Sequence, residues 1–345
     1  MDSIPEKSRL FREQLILTEK IILIIVAICA ILGNTFVLVA TWRERSLHQP
    51  NKYFIACLAV ADLVVGIFVA PMTANELNFV HESRDAKPTH TCRFMVWLDT
   101  FALTASFYIL TVISFDRYLK ISKPLHYRSR MTTFKLLKII SCIVLISSVY
   151  ASYNASSHSG SWGILDTGTG FCSDAAKIDK VGKGFFTFFI IMAFFLPTIF
   201  TLAMYVRIFF IARKRQKMFR SGQLRQNSNN KNRENAFLQN MKVIRMQWAV
   251  MGVFILCWSP GFIWMLVSLY YPHLIDYDNN LQKENIDIFH VISNTLPIFN
   301  SLCNPVIYAW LDQTYRKAFK HLFKKIMCRP DARRHPPIVP IELRS

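Results

Sequence analysis

IILIIVAICAILGNTFVLVA, residues 21–40, is apolar at every position except Gly33, Asn34 and Thr35. A bilayer interior takes about 20 such residues as a helix, and within lipid only helices or closed barrels satisfy the backbone. Six further stretches of similar length follow, and the predicted spans are 18–41, 52–77, 92–119, 134–153, 185–212, 243–270 and 287–310. All are too long for barrel strands. The expected fold class is an all-α membrane protein, a seven-transmembrane helix bundle with a short amphipathic eighth helix. Its parts are an extracellular N-terminus (1–17), the bundle (18–310), the amphipathic helix (311–328) and a cytoplasmic tail (329–345). The first 17 residues carry no signal-peptide pattern, so the first span is read as a retained helix.

Basic residues set the orientation. Segments 43–52, 117–138, 207–245 and the tail from 316 hold 30 of the 41 Lys and Arg. The opposite side, 1–20, 76–93, 166–183 and 273–287, holds the other 11 against 14 Asp and Glu. The positive-inside rule places the first set in the cytoplasm. The net charge of +19 then reflects topology and contact with anionic membrane lipid, and nucleic acid is not expected as a partner.

Polar residues inside the spans are the next signal, because ionisable groups in hydrocarbon are costly and face a bundle interior. Asp62 falls near mid-membrane, and Ser106, Asn300, Ser301 and Asn304 are candidate partners for it. A carboxylate with hydroxyl and amide oxygens suits a small hard cation; a hydrogen-bonded packing network is the other reading. Asp99 lies 18 residues before Arg117, five turns or about 27 Å along a helix, so it sits near the outer end. With Leu103, Ser106 and Phe107 it recurs at helical spacing and points inward. A cationic ligand would complete that carboxylate; an internal tyrosine, histidine or water cluster would also neutralise it.

Prolines interrupt three late spans: Pro197 with Tyr205 eight residues on, Cys257-Trp258-Ser259-Pro260, and Asn304-Pro305-Val306-Ile307-Tyr308. Each bends its helix, which implies moving parts or packing around a cavity. The third span closes on Ser114-Phe115-Asp116-Arg117-Tyr118 and leads into a basic loop containing Pro124-Leu125. From about residue 20 to 328 the chain resembles the rhodopsin-like (class A) G-protein-coupled receptors. The resemblance rests on Asn34, Leu58-Ala-x-x-Asp62, Asp116-Arg117-Tyr118, Cys257-Trp-x-Pro260 and Asn304-Pro-x-x-Tyr308, in order and each in its proper helix.

That resemblance implies a multi-pass plasma-membrane receptor, N-terminus extracellular, which binds an extracellular ligand and activates a heterotrimeric G protein. It implies roles as well. Arg117 would be the switch arginine held by Asp116, with Tyr118 completing the triplet. Tyr205 and Tyr308 would stabilise the open state, and Leu125 would insert into the G protein. Phe107, Pro197 and Phe254 would form the core triad beneath the ligand, with Trp258 as pocket floor. Asp62, Ser106, Asn300, Ser301 and Asn304 match the family's site for sodium, an allosteric ion rather than a cofactor. Cys92 and Cys172, both on the outer side, match its disulfide.

Asp99 matches the amine-anchoring aspartate of aminergic receptors, so a small cationic amine is the first expectation for the ligand. Leu103, Phe189, Trp258, Phe262 and Asn294 would complete the site. Phe189, Ile190 and Ala193 stand where catecholamine and serotonin receptors carry hydroxyl residues, and Ile298 replaces the tyrosine that braces the aspartate. A less polar amine, or a peptide with a basic group, fits that lining better than a catechol. A receptor that signals without ligand is a further alternative.

After Tyr308, Tyr315, Phe319, Phe323 and Ile326 line one face of a basic interfacial helix. Cys328 beyond it is a palmitoylation candidate or a free thiol, and Asn154-Ala155-Ser156 is a glycosylation sequon near the outer face. A transporter would show internal repeats and discontinuous helices, and an enzyme would show a nucleophile with its base. Neither pattern is present, and no enzymatic activity is expected.

Overall fold

The computed structural model describes residues 6–44, 50–82, 89–122, 127, 132–156, 180–220, 228–274 and 280–327. Eight long helices organise them. Helix α1 is Glu6–Arg43. Helix α2 runs Pro50–Val64, through one π turn at Val65–Val69, and on as Ala70–Glu82. Helices α3 and α4 are Thr89–Ser122 and Thr133–Asn154. Helix α5 comprises Lys180–Ile190, a π turn at Ile191–Phe195 and Leu196–Arg220. Helices α6, α7 and α8 are Ser228–Tyr270, Asn280–Leu311 and Gln313–Met327.

Both π turns end one residue short of a proline, Pro71 and Pro197. Proline has no N–H to bond the carbonyl four residues back, and the turn widens so that Ala70 and Leu196 donate five residues back, to Val65 and Ile191. Pro260 and the pair Pro297 and Pro305 lie inside α6 and α7. The prolines therefore set the shape of four helices around the bundle's interior.

Lipid-facing and interior residues are sorted as a membrane demands. Leu145, Val149 and Leu256 are 65–71% exposed at the periphery, whereas Asn34, Asp62 and Asn304 are at most 2% exposed. Six helical segments among the described residues are long and apolar enough to span a membrane. The seventh predicted span does not meet that measure, because α7 carries Asn294, Asn300, Ser301 and Asn304 together with two prolines. It nevertheless packs against α1 and α6 and closes the bundle. Helix α1 also begins three turns earlier than its predicted span, and Arg12 forks onto Asp287 at 2.8 Å to hold this extension against α7.

Close approach between α1 and α7 depends on two neighbouring residues. A Cβ on Gly33 would lie 3.0 Å from Pro305. Pro305 leaves the carbonyl of Ser301 without its helical donor, and the Asn34 amide supplies one at 2.9 Å. The pairing explains why an asparagine stands in the middle of an otherwise apolar span.

Candidate functional site

At the outer level, Asp99 and Trp258 border one cavity together with Leu103, Ser106, Phe254, Ile298, Asn300, Ser301 and Asp62. Its free room is about 20 Å³, slightly more than the roughly 10–15 Å³ that a single water requires. Asp99 is partly exposed, and among the described residues its carboxylate makes no hydrogen bond or ion pair. Beneath it stands an aromatic column. The Phe107 ring meets Phe254 edge-on at 4.2 Å, and Trp258 stacks on Phe262 at 5.8 Å. Phe194 touches both Phe107 and Phe262, at 5.3 and 4.7 Å. Buried Pro197 follows the π turn that carries Phe194, a ring on Phe107 that the expected grouping of Phe107, Pro197 and Phe254 did not include.

Two expected pocket residues lie elsewhere. Phe189 is fully buried against Tyr150 at 5.6 Å and Phe185 at 6.3 Å, so it fills the seam between α4 and α5 and does not line the Asp99 cavity. Asn294 is half-buried on α7, one turn above Ile298, and is not part of that cavity's lining.

At mid-depth, Asp62 accepts from the Asn304 amide at 2.8 Å and from the Ser301 hydroxyl. Asn300 Oδ1 is buried without a partner among the described residues, and Asn300 and Ser106 border the same space as Asp62. One carboxylate, one free amide oxygen and two hydroxyls form an oxygen set that fits a small hard cation.

The cytoplasmic level carries the residues expected to act as the switch. Asp116 and Arg117 are both buried, with Arg117 Nε 4.0 Å from Asp116 Oδ2, a Coulombic contact rather than a hydrogen bond. Tyr127 donates to Asp116 Oδ1 at 2.7 Å. Burial, together with the charge of Asp116, pushes the Tyr127 hydroxyl pKa upward. The hydroxyls of Ser114 and Tyr205 share a bond of 3.1 Å, and the Tyr205 ring packs on Trp248 at 4.8 Å. Tyr308 stacks on Tyr315 of α8 at 5.6 Å, and Tyr315 bonds Thr41 at 2.9 Å. Tyr118 is only half-buried.

Residues 33–308 match the profile of the 7 transmembrane receptor (rhodopsin family). The chain belongs to that family. As a rhodopsin-family receptor it is a multi-pass membrane protein of a signalling, not an enzymatic, class. It is 26% identical over 338 residues to the human alpha-1A adrenergic receptor, covering 88% of this chain and 67% of that one. It is 28% identical to the 5-hydroxytryptamine receptor 1 of Aplysia californica, covering 86% of this chain and 70% of that protein. Against the human 5-hydroxytryptamine receptor 4 the identity is 28%, over 93% of this chain and 83% of the relative. The chain spans about two thirds of the length of the adrenergic receptors it matches.

The receptor's sequon is corrected by its fold. Asn154 ends α4 fully buried, and its amide donates to Thr100 on α3 at 2.9 Å, so this arrangement leaves no room for a glycan there. Leu125, Cys172 and Cys328 lie outside the described residues, as does the side chain of Cys92. Three features escape the sequence reading: Tyr127 on Asp116, the buried pair of Lys52 and Asp312, and Gln247. The Lys52–Asp312 pair and Gln247 rest on facing across helices. For Tyr127 the only available signal was its place in the basic loop after Arg117.

Proposed function

We propose that this receptor binds an extracellular cationic amine at Asp99 and, in response, activates a heterotrimeric G protein. The observation that carries the reading is an inward carboxylate on α3, without a partner among the described residues, above a floor of Trp258, Phe254 and Phe107. A carboxylate so placed favours a ligand that brings a positive charge. The relatives, adrenergic and 5-hydroxytryptamine receptors by name, support an amine. Ile298, on the wall of that cavity, supports one less polar than a catechol.

The polar cluster at Asp62 is the place for a sodium ion, held by Asp62, Ser106, Asn300, Ser301 and Asn304. An ion bound there with preference for the resting bundle would oppose the ligand. Arg117, Asp116, Tyr205 and Tyr308 serve as the switch that the G protein reads, and Leu125 as the loop contact. Cys92 and Cys172 form the outer disulfide and Cys328 carries a palmitoyl group in the same reading.

The test is a second-messenger screen of expressed receptor against small amines, 5-hydroxytryptamine among them, and short basic peptides. With the best agonist in hand, Asp99→Ala should lower potency by orders of magnitude at unchanged surface expression. Losing one partner of a desolvated charge pair costs about 2–5 kcal/mol. Unchanged potency would reject the ion pair. A best agonist that proves to be a basic peptide, still dependent on Asp99, would replace the amine while keeping the site.

A further inference from the structure

Gln247 is an amide inside an apolar seam. It is 5% exposed, and neither its Nε2 nor its Oε1 has a hydrogen-bond partner among the described residues. It borders a cavity near the cytoplasmic end, with Ser114 of α3, Tyr205 of α5, Tyr308 of α7 and the apolar Met246, Val250 and Met251 of its own helix. The free room is about 10 Å³, at the lower limit of the roughly 10–15 Å³ for one water. The polar protein groups that border it besides Gln247 are the three hydroxyls of Ser114, Tyr205 and Tyr308.

A buried amide that makes none of its bonds raises the free energy of the arrangement containing it. Any second arrangement in which it is satisfied gains by the same amount. Helix α6 has a hinge suited to such a change. Gln247 lies 13 residues before Pro260, about 20 Å along the helix axis. A tilt of about 10° at the proline thus displaces Gln247 by roughly 3.5 Å, enough to make or break a hydrogen bond. The two tyrosines are restrained differently. Tyr205 already shares a bond with Ser114, whereas Tyr308 is held by ring stacking on Tyr315, which leaves its hydroxyl available.

We propose that Gln247 is a third polar member of the Tyr205–Tyr308 switch, a positioning residue whose amide binds these hydroxyls when α6 tilts and disfavours the bundle while it has no partner. The proposal rests on the reading of this chain as a two-state receptor. Its consequence is a resting balance tipped toward signalling without ligand.

The experiment reads basal cyclic AMP and inositol phosphate per receptor at the cell surface, and the thermal unfolding midpoint of the purified full chain. Gln247→Leu should lower basal output about three- to tenfold and raise the midpoint by several degrees. Tyr308→Phe should lower output in the wild-type background and add little in Gln247→Leu, since the two act through one bond. Four results overturn the proposal: wild-type output no higher than in mock-transfected cells, basal output unchanged or raised in Gln247→Leu, a lowered midpoint in that variant, or an equal fold-loss from Tyr308→Phe in both backgrounds. Arg117→Ala separates this failure from a deeper one. Basal output that survives it would reject the switch itself, and the role of Gln247 with it.

Discussion

Asn34 and Asn154 are both asparagines in apolar helices, and the chain gives each a different task. Asn34 supplies the Ser301 carbonyl with the donor that Pro305 lacks, while Asn154 ties the outer end of α4 to Thr100. The first was legible, because a polar side chain in mid-span must face inward and find a partner. The second was masked by its own sequon: three residues spell a modification signal, and only the turn of α4 shows that the side chain faces α3. Glycosidase treatment should therefore leave the electrophoretic mobility of the wild-type receptor at that of Asn154→Gln. A shift abolished only by Asn154→Gln would place a glycan on Asn154 after all. Asn154→Ala should lower the thermal midpoint as well, since leaving a buried group unsatisfied costs roughly 1–3 kcal/mol of stability.

Between elements, the junction of α7 and α8 shows what periodicity cannot supply. The amphipathic face of α8 was readable from Tyr315, Phe319 and Phe323, but no pattern links Lys52 to a residue 260 positions away. Lys52 and Asp312 form a buried ion pair, and the Lys52 ammonium also lies over the Tyr315 ring at 4.4 Å. Burial alone would raise the Asp312 pKa; the Lys52 charge and the amides of Thr314 and Tyr315 outweigh it and hold the carboxyl below its usual range. A depressed carboxylate contributes stability above its unfolded pKa, and the contribution disappears as pH falls through the folded one. Lys52→Met should then destabilise the purified receptor by about 3–5 kcal/mol near neutral pH, since it leaves a buried charge unpaired. The gap between wild type and variant should narrow as pH falls below about 4, the ordinary carboxylate range. A gap that stays constant across this range would show that Lys52 acts through packing on Tyr315 rather than through charge.

For the whole bundle, the sequence disclosed more of the scaffold than of the pocket. Seven helices and the mid-membrane cluster follow from the cost of polar groups in lipid, which leaves a strong trace in any single chain, and the expected orientation follows from the placement of the basic residues. Even α7, which falls short of the measure the other six spans meet, was read from the sequence as an apolar stretch over 287–310. Phe189 and Gln247 left no such trace, because a ring or an amide on an apolar helix does not say which neighbour it will meet. The cluster also ties the two ends together. Asp62 and Asp99 border one cavity together with Trp258, so an ion at mid-depth and a ligand above it would act on the same side chains. A sodium ion at ten times its dissociation constant for the resting bundle, with no affinity for the signalling one, stabilises the former by about 1.4 kcal/mol, or tenfold in equilibrium. Agonist affinity on membranes should accordingly fall up to about tenfold when sodium replaces a bulky organic cation at constant ionic strength. Asp62→Asn removes the only carboxylate among the five proposed ligands and should abolish the dependence while antagonist binding, and hence the folded pocket, persists. A sodium effect of equal size in Asp62→Asn would move the ion elsewhere in the bundle and leave the cluster as a hydrogen-bonded brace between α2 and α7.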